Sequence, residues 1–320
     1  MKKPLIILTG PTAVGKTELS IALAKSVNGA IISADSMQVY KHMDIGSAKI
    51  RPQERNGVPH YLIDVLEPSE EFHVARFQEM AKEAMQEIYA NGQIPILTGG
   101  TGFYIQSVLY DIDFKENAEG KEYRHSLEAL AKEKGVSYLH RMLSEIDPES
   151  AAAIHENNVK RVIRALEFHA ETGMKMSEHN EEERRRESPY NAAYFVLCDE
   201  RSKLYERIDQ RVDDMMEEGL LCEVEHLKEM GYDRSYVSMQ GLGYKELLSY
   251  LDGEITLSDA VSVIKRDTRH FAKRQITWFK RERDVIWIHK DEFGYDKEKI
   301  LAYCLDCLKN REIYVHSAQK

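Results

Sequence analysis

The chain has 320 residues, with 44 Lys plus Arg against 54 Asp plus Glu, 42% apolar residues and four cysteines. Its length predicts about two domains, each able to bury a core, and its composition excludes a mainly disordered chain or a disulfide scaffold. The formal net charge of -10 argues against indiscriminate polyanion binding but leaves room for one oriented basic face.

The apolar run Leu5-Ile6-Ile7-Leu8 after Lys2-Lys3-Pro4 ends at Gly10-Pro11, too soon for a signal peptide, and no small-residue cleavage site follows. No stretch reaches the roughly 18 to 20 apolar residues of a membrane span. The expectation is a cytoplasmic, soluble protein.

Strands are predicted at Leu5 to Thr9, Ala30 to Ala34, Tyr61 to Val65 and Ile94 to Thr98. Between the last two, Val74, Phe77, Ala81, Ala84, Met85 and Ile88 carry helical spacing, stopped by Asn91-Gly92. Strands alternating with helices predict an α/β fold with a parallel sheet. From 116 to about 190 the pattern is helical only, which predicts an insertion. Buried strands resume at Tyr194 to Cys198 and Val285 to His289. The expected organisation is a P-loop NTPase-like parallel sheet core over 1–115 and 191–320, with an inserted all-helical domain over 116–190. Cys304 and Cys307 resemble half a zinc site, but with Ile300, Leu301 and Leu308 they form the apolar stripe of a C-terminal helix, so core packing is expected.

Gly10-Pro11-Thr12-Ala13-Val14-Gly15-Lys16-Thr17 follows a strand and opens a helix, the setting a phosphate-binding loop requires. Its glycines let backbone amides face phosphate oxygens at a helix N-terminus. Lys16 is expected to neutralise phosphate and the Thr17 hydroxyl to ligate Mg²⁺. Two acids end neighbouring strands, Asp35 and Asp64. Asp35 opens the polar turn Asp35-Ser36-Met37-Gln38 and is the better catalytic candidate, whereas Asp64 runs into Val65-Leu66. Thr98-Gly99-Gly100-Thr101-Gly102 makes a second Gly-rich turn at the same sheet edge, permitting close backbone approach. The loop alone also suits a nucleotide or small-molecule kinase, or a non-catalytic RNA-binding nucleotide switch.

These segments, together with Met43-Asp44-Ile45-Gly46-Ser47-Ala48-Lys49 and Lys273-Arg274-Gln275-Ile276-Thr277-Trp278, resemble the bacterial tRNA dimethylallyltransferase (tRNA isopentenyltransferase) family over about residues 5 to 290. The zinc finger that follows in eukaryotic members is absent. The resemblance implies transfer of a dimethylallyl group from its diphosphate to the exocyclic amine of the adenosine beside the anticodon, by a monomer that needs Mg²⁺ and hydrolyses no ATP. It implies that Asp35 is the base, that Thr101 bonds the amine or the base, that Lys16 and Arg207 or Arg211 hold the diphosphate, and that Thr12 and Ala13 line the prenyl pocket. The tRNA contacts it implies come from Asp35, Ser36, Met37 and Gln38, from Thr101, from Lys160, Arg161, Val162, Ile163 and Arg164, from Gly243, Tyr244 and Lys245, and from Lys273, Arg274 and Gln275. Tyr244 is expected to stack on a base.

Residues 265 to 283 hold eight Lys or Arg and two acids. On a helical wheel Arg266, Arg269, Lys273 and Lys280 share a face opposite Val261, Ile264, Phe271, Trp278 and Phe279, so one face is expected to pack and the other to follow phosphates. Gln275 falls on the apolar side, where its amide requires a buried partner or ligand.

Overall fold

Strands β1 (Lys3–Thr9), β2 (Gly29–Ser33), β3 (His60–Tyr61), β4 (Ile94–Gly99), β5 (Tyr190–Cys198) and β6 (Val285–His289) pair into one sheet of order β3-β2-β4-β1-β5-β6. Every pairing is parallel. The computed structural model describes residues 2–114 and 120–314; the expected boundary at 115–116 and the last six residues lie outside them.

A parallel sheet covered on both faces needs apolar residues at consecutive positions, and Leu5, Ile6, Ile7 and Leu8 of the central β1 have no exposed surface. Strand alternation divides them. Leu5 and Ile7 enter the core beneath α2 (Val74–Ala90) and α3 (Gly102–Leu109). Ile6 and Leu8 enter the opposite core, beneath α1 (Lys16–Val27). Each core is completed by helices from the second half of the chain. The α2/α3 face receives α10 (Leu220–Glu229), α11 (Tyr244–Leu251) and most of the buried face of α12 (Leu257–Phe279). The α1 face receives α9 (Arg201–Glu218) through Leu204 and Ile208, and α13 (Lys297–Asn310) through Ile300, Cys304 and Leu308. Cys304 is thus a core residue, its thiol pushed up to about 12 by burial. No group of three His, Cys, Asp or Glu suited to a metal occurs among the described residues.

The chain leaves β1 toward β2 and later returns to the other side of β1 as β5, a reversal that opens a crevice at the carboxyl edge of a parallel sheet. Gly10, Ala34, Gly100 and Asp199 follow strands that end on that edge. Two of these ends touch: Ala34 N–H donates to Thr98 O at 2.8 Å and Thr101 N–H to Ala34 O at 3.2 Å. A Cβ on Gly99 would lie 2.2 Å from Ala34 O, so only glycine permits this approach.

The strand expected over Tyr61 to Val65 is shorter. Leu62 and Asp64 have φ of 61° and 59°, which no strand accommodates, and Asp64 turns outward to an ion pair with Lys49. Its carboxylate is thus committed to Lys49.

The second compact unit, Ile112–Glu187, contains α4 (Gly120–Lys134), α5 (Val136–Ile146), α6 (Pro148–Ala153), α7 (Val159–Thr172) and α8 (Met176–Arg185). Tyr190 already opens β5 and belongs with the sheet. Leu127, Leu139, Leu143, Val162, Ile163 and Leu166 form the unit's core. Asp147 caps α6 by accepting from Ser150 N–H at 3.0 Å and also accepts the Ser177 hydroxyl at 2.7 Å. Burial opposes its ionisation, but these bonds hold the carboxyl down at about 2. Glu167, almost wholly buried, is held by Arg124 through two bonds of 2.8 and 2.6 Å. No helix among the described residues is long and apolar enough to cross a membrane.

Candidate active site

Between β1 and α1 the backbone turns through Gly10, Ala13 and Gly15, with φ of 148°, 62° and 99°. A Cβ on Gly10 would lie 2.2 Å from Leu197 O on β5, so the loop needs glycine where it leaves the sheet. Lys16 folds back over the loop and donates to Gly10 O and Pro11 O at 2.9 and 2.8 Å. Desolvation, then the nearby Arg211 guanidinium, bring its ammonium down to about 8, against the opposing pull of Asp35. Thr17, one residue into α1, is exposed.

Beside the loop lies a cavity of about 490 Å³ lined by Thr12, Asp35, Ser36, Met37, Thr101 and Arg211, with apolar walls that include Tyr40, Phe72, Met215 and Phe271. Asp35 Oδ1 accepts from Met37 N–H at 2.8 Å and Gln38 N–H at 3.4 Å. Both bonds fall on one oxygen, leaving Oδ2 for an incoming donor. Desolvation raises the Asp35 carboxyl above its ordinary value even though these amides and Lys16 pull it down. A buried carboxylate of raised basicity beside an ammonium is suited to accepting a proton while a neighbouring anion is held. Thr101 precedes α3, and its hydroxyl makes no capping bond.

A family model for IPP transferase matches residues 38–282. The chain belongs to the IPP transferase family. It is 60% identical over 311 residues to the tRNA dimethylallyltransferase of Lachnoclostridium phytofermentans, covering 97% of this chain and 99% of that one. To the tRNA dimethylallyltransferase of Acetivibrio thermocellus it is 54% identical over 297 residues, 93% and 95% of the two chains. Among solved structures, the full-length tRNA isopentenylpyrophosphate transferase of Bacillus halodurans matches with a TM-score of 0.73 at 45% identity, over 97% and 98% of the chains. A eukaryotic dimethylallyltransferase acting on tRNA matches with a TM-score of 0.82 at 31% identity, over 97% of this chain and 80% of that one.

Within this IPP transferase the structure separates the two arginines of α9. Arg211 lines the cavity, and desolvation, the largest influence on it, lowers its pKa. Arg207, one turn earlier, does not line it. Its Nη2 pairs with Asp199 at 2.6 Å and its Nε donates to Ala13 O at 3.1 Å, so it holds the outer side of the phosphate loop and is not expected to touch diphosphate.

Several residues expected at the RNA are committed to the protein. Tyr244 has no exposed surface and donates its hydroxyl to Glu223 at 2.7 Å; it is a core residue, unable to stack on a base. Gln275 Oε1 accepts from Thr12 N–H at 2.9 Å and its Nε2 donates to Gly100 O at 3.0 Å. It has the buried partners its position requires, and they join the two Gly-rich loops. The Gln38 amide accepts from Ser33 Oγ and donates to Ser47 O and Ala48 O. Val162 and Ile163 face the helical core, so of the five α7 residues expected at the tRNA, Lys160, Arg161 and Arg164 are the exposed ones.

Gly243 and Lys245 line the cavity, as does Arg274, whose guanidinium lies 5.7 Å from the Phe271 ring centre. The basic stretch is partly neutralised. Lys265 pairs with Asp213 and Arg269 with Asp209, both acids on α9, while Arg266 pairs with Asp267. Arg269 therefore packs against α9 and does not follow phosphates. Of the exposed basic residues of α12 and its C-cap, those without an ion pair among the described residues are Lys273 and Arg274 near the C-terminal end of the helix and Lys280 just after it.

Sequence reasoning missed Glu223. Its carboxylate accepts from the N–H groups of Asp44, Ile45 and Gly46 at 2.8, 2.7 and 3.1 Å, as well as the Tyr244 hydroxyl. It thereby shapes the segment whose Gly46, Ser47 and Ala48 wall the cavity. A single Glu on a helix offers no local signal for this; its three backbone partners are 177 to 179 residues away.

Proposed function

We propose that this tRNA dimethylallyltransferase moves the dimethylallyl group of dimethylallyl diphosphate onto the exocyclic amine of the adenosine 3′-adjacent to the tRNA anticodon. The observation that carries this reading is that one cavity presents Asp35, Thr101 and Arg211 beside the Lys16 loop. The amine is a poor nucleophile because its lone pair is delocalised into the ring. As its nitrogen bonds to the allylic carbon, the carbon–oxygen bond to diphosphate breaks and one amine proton passes to Asp35. Thr101 is placed to orient the amine. Lys16, Arg211 and the loop amides stabilise the charge that develops on the leaving diphosphate, and the apolar walls receive the prenyl chain.

The exposed Thr17 hydroxyl at the start of α1 fits a Mg²⁺ ion that takes most of its ligands from diphosphate and water. Bound there, Mg²⁺ would supply further neutralisation of the diphosphate. The target base must leave its stack, at a cost of a few kcal/mol. Phosphate contacts from Lys160, Arg161 and Arg164 on the helical unit, and from Lys273 and Arg274 on the sheet unit, favour binding of the anticodon stem-loop.

Incubation with labelled dimethylallyl diphosphate, Mg²⁺ and unmodified tRNA tests this reading. Label is expected in tRNA with wild type and near background with Asp35→Ala. No transfer by wild type at saturating substrates rejects the reaction, and undiminished transfer by Asp35→Ala rejects the assigned base.

A further inference from the structure

We propose that Asp199, Arg207 and Lys290 form a positioning cluster that sets the diphosphate affinity of the phosphate loop from its outer side; this rests on the reading of that loop as the diphosphate site. The three residues come from separate places: the residue after β5, the first half of α9, and the residue after β6. Arg207 Nε donates to Ala13 O and Lys290 Nζ to Val14 O, each at 3.1 Å. The Asp199 side chain has no exposed surface and lies 2.6 Å from Arg207 Nη2 and 3.8 Å from Lys290 Nζ. Its other oxygen accepts from Glu200 N–H at 2.7 Å and the Tyr295 hydroxyl at 3.0 Å. The carboxylate is thereby oriented, and it orients both cations.

The carbonyl of Ala13 and the N–H of Val14 belong to one peptide plane, and the carbonyl of Val14 and the N–H of Gly15 to the next. A cation on each carbonyl fixes the plane and polarises the N–H on its far end, which strengthens that N–H as a donor. Such N–H groups are what a phosphate loop offers an anion. The conformation also needs external support, because Ala13 has φ of 62° without being glycine; backbone of this kind persists where its surroundings over-determine it. Lys16 binds the loop through Gly10 O and Pro11 O, so the two sets of cations hold different peptide groups.

Calorimetric titration with inorganic pyrophosphate in Mg²⁺ buffer, together with steady-state kinetics and tRNA binding, tests the cluster. Lys290→Met is expected to weaken pyrophosphate and raise KM for dimethylallyl diphosphate by about tenfold each, with tRNA affinity and Tm close to wild type. Lys290→Arg, which keeps a donor and a charge, should recover most of the loss, and Asp199→Asn should shift the same two quantities. Lys16→Ala is the reference. If Lys16→Ala weakens pyrophosphate while Lys290→Met leaves it within about twofold of wild type, the cluster has no positioning role. If neither does, the diphosphate reading of the loop fails, and the cluster's role with it. A parallel loss of pyrophosphate affinity, tRNA affinity and Tm that Lys290→Arg does not rescue marks a purely structural residue and overturns the proposal.

Discussion

Gln275 and Thr12 are 263 residues apart in the chain, yet the Gln275 side-chain carbonyl accepts the Thr12 N–H at 2.9 Å while its amide donates to Gly100 O. One buried side chain thus joins the loop after β1 to the loop after β4. Gln275→Leu is expected to leave both backbone groups unpaired, at about 1–3 kcal/mol each. Urea unfolding should show that loss, and KM for dimethylallyl diphosphate should rise. Wild-type stability in Gln275→Leu would show that the bridge contributes nothing.

Asp35→Asn keeps an oxygen for the Met37 and Gln38 amides but cannot take a proton. Its kcat should fall by about 10²-fold or more, with tRNA affinity nearly unchanged. The wild-type carboxyl titrates above its ordinary value in the fold. The folded state therefore holds the proton more tightly than the unfolded chain, and its stabilising effect is lost as pH rises through the folded value. Burial penalises the charged carboxylate, and a neutral Asn avoids that penalty, so Asp35→Asn should raise Tm at neutral pH. A lowered Tm would contradict the desolvation assigned to this residue.

Lys16 titrates near 8 in the free protein. A diphosphate that requires its ammonium should bind less tightly at pH 9 than at pH 7 by about tenfold, once ligand ionisation is corrected for with a Lys16→Met reference. Calorimetry at the two pH values checks this. A corrected affinity that does not change with pH would remove Lys16 from the diphosphate site.

Glu223→Ala deprives three backbone N–H groups and the Tyr244 hydroxyl of their acceptor. The expected loss of stability is about 2–4 kcal/mol, with Glu223→Gln intermediate because it keeps one acceptor oxygen. Denaturant midpoints for the two variants read this directly, and equal midpoints would show that the carboxylate is not needed.

On α7, neighbouring residues should differ in kind. Replacing Lys160, Arg161 and Arg164 together by Ala should leave Tm near wild type while lowering the salt slope of tRNA binding by about 2 to 3. Val162→Ala, one position on in the same helix, should instead destabilise by about 2 kcal/mol through a core cavity, with an unaltered slope. Salt titrations and thermal melts of the two variants separate the cases.

The sequence by itself determined the parallel sheet, and it marked the Gly-rich loop after β1 and the acid at the end of β2 as candidates. Each is written in consecutive residues: apolar runs for strands buried on both faces, glycines ahead of a helix N-terminus, and an acid at a strand end. It could not separate Arg207 from Arg211, one helical turn apart, because what divides them is Asp199 on one side and a cavity on the other. Nor could it place Tyr244 and Gln275 inside the protein, since Glu223, Thr12 and Gly100 come near them only once the chain has folded. The basic stretch of α12 was legible as charge, but how much of it α9 neutralises was not. Local pattern specifies which elements form and which chemistry they carry. Whether a polar side chain serves substrate or protein is decided by the partner that tertiary packing brings within about 3 Å, because a buried donor or acceptor must be satisfied.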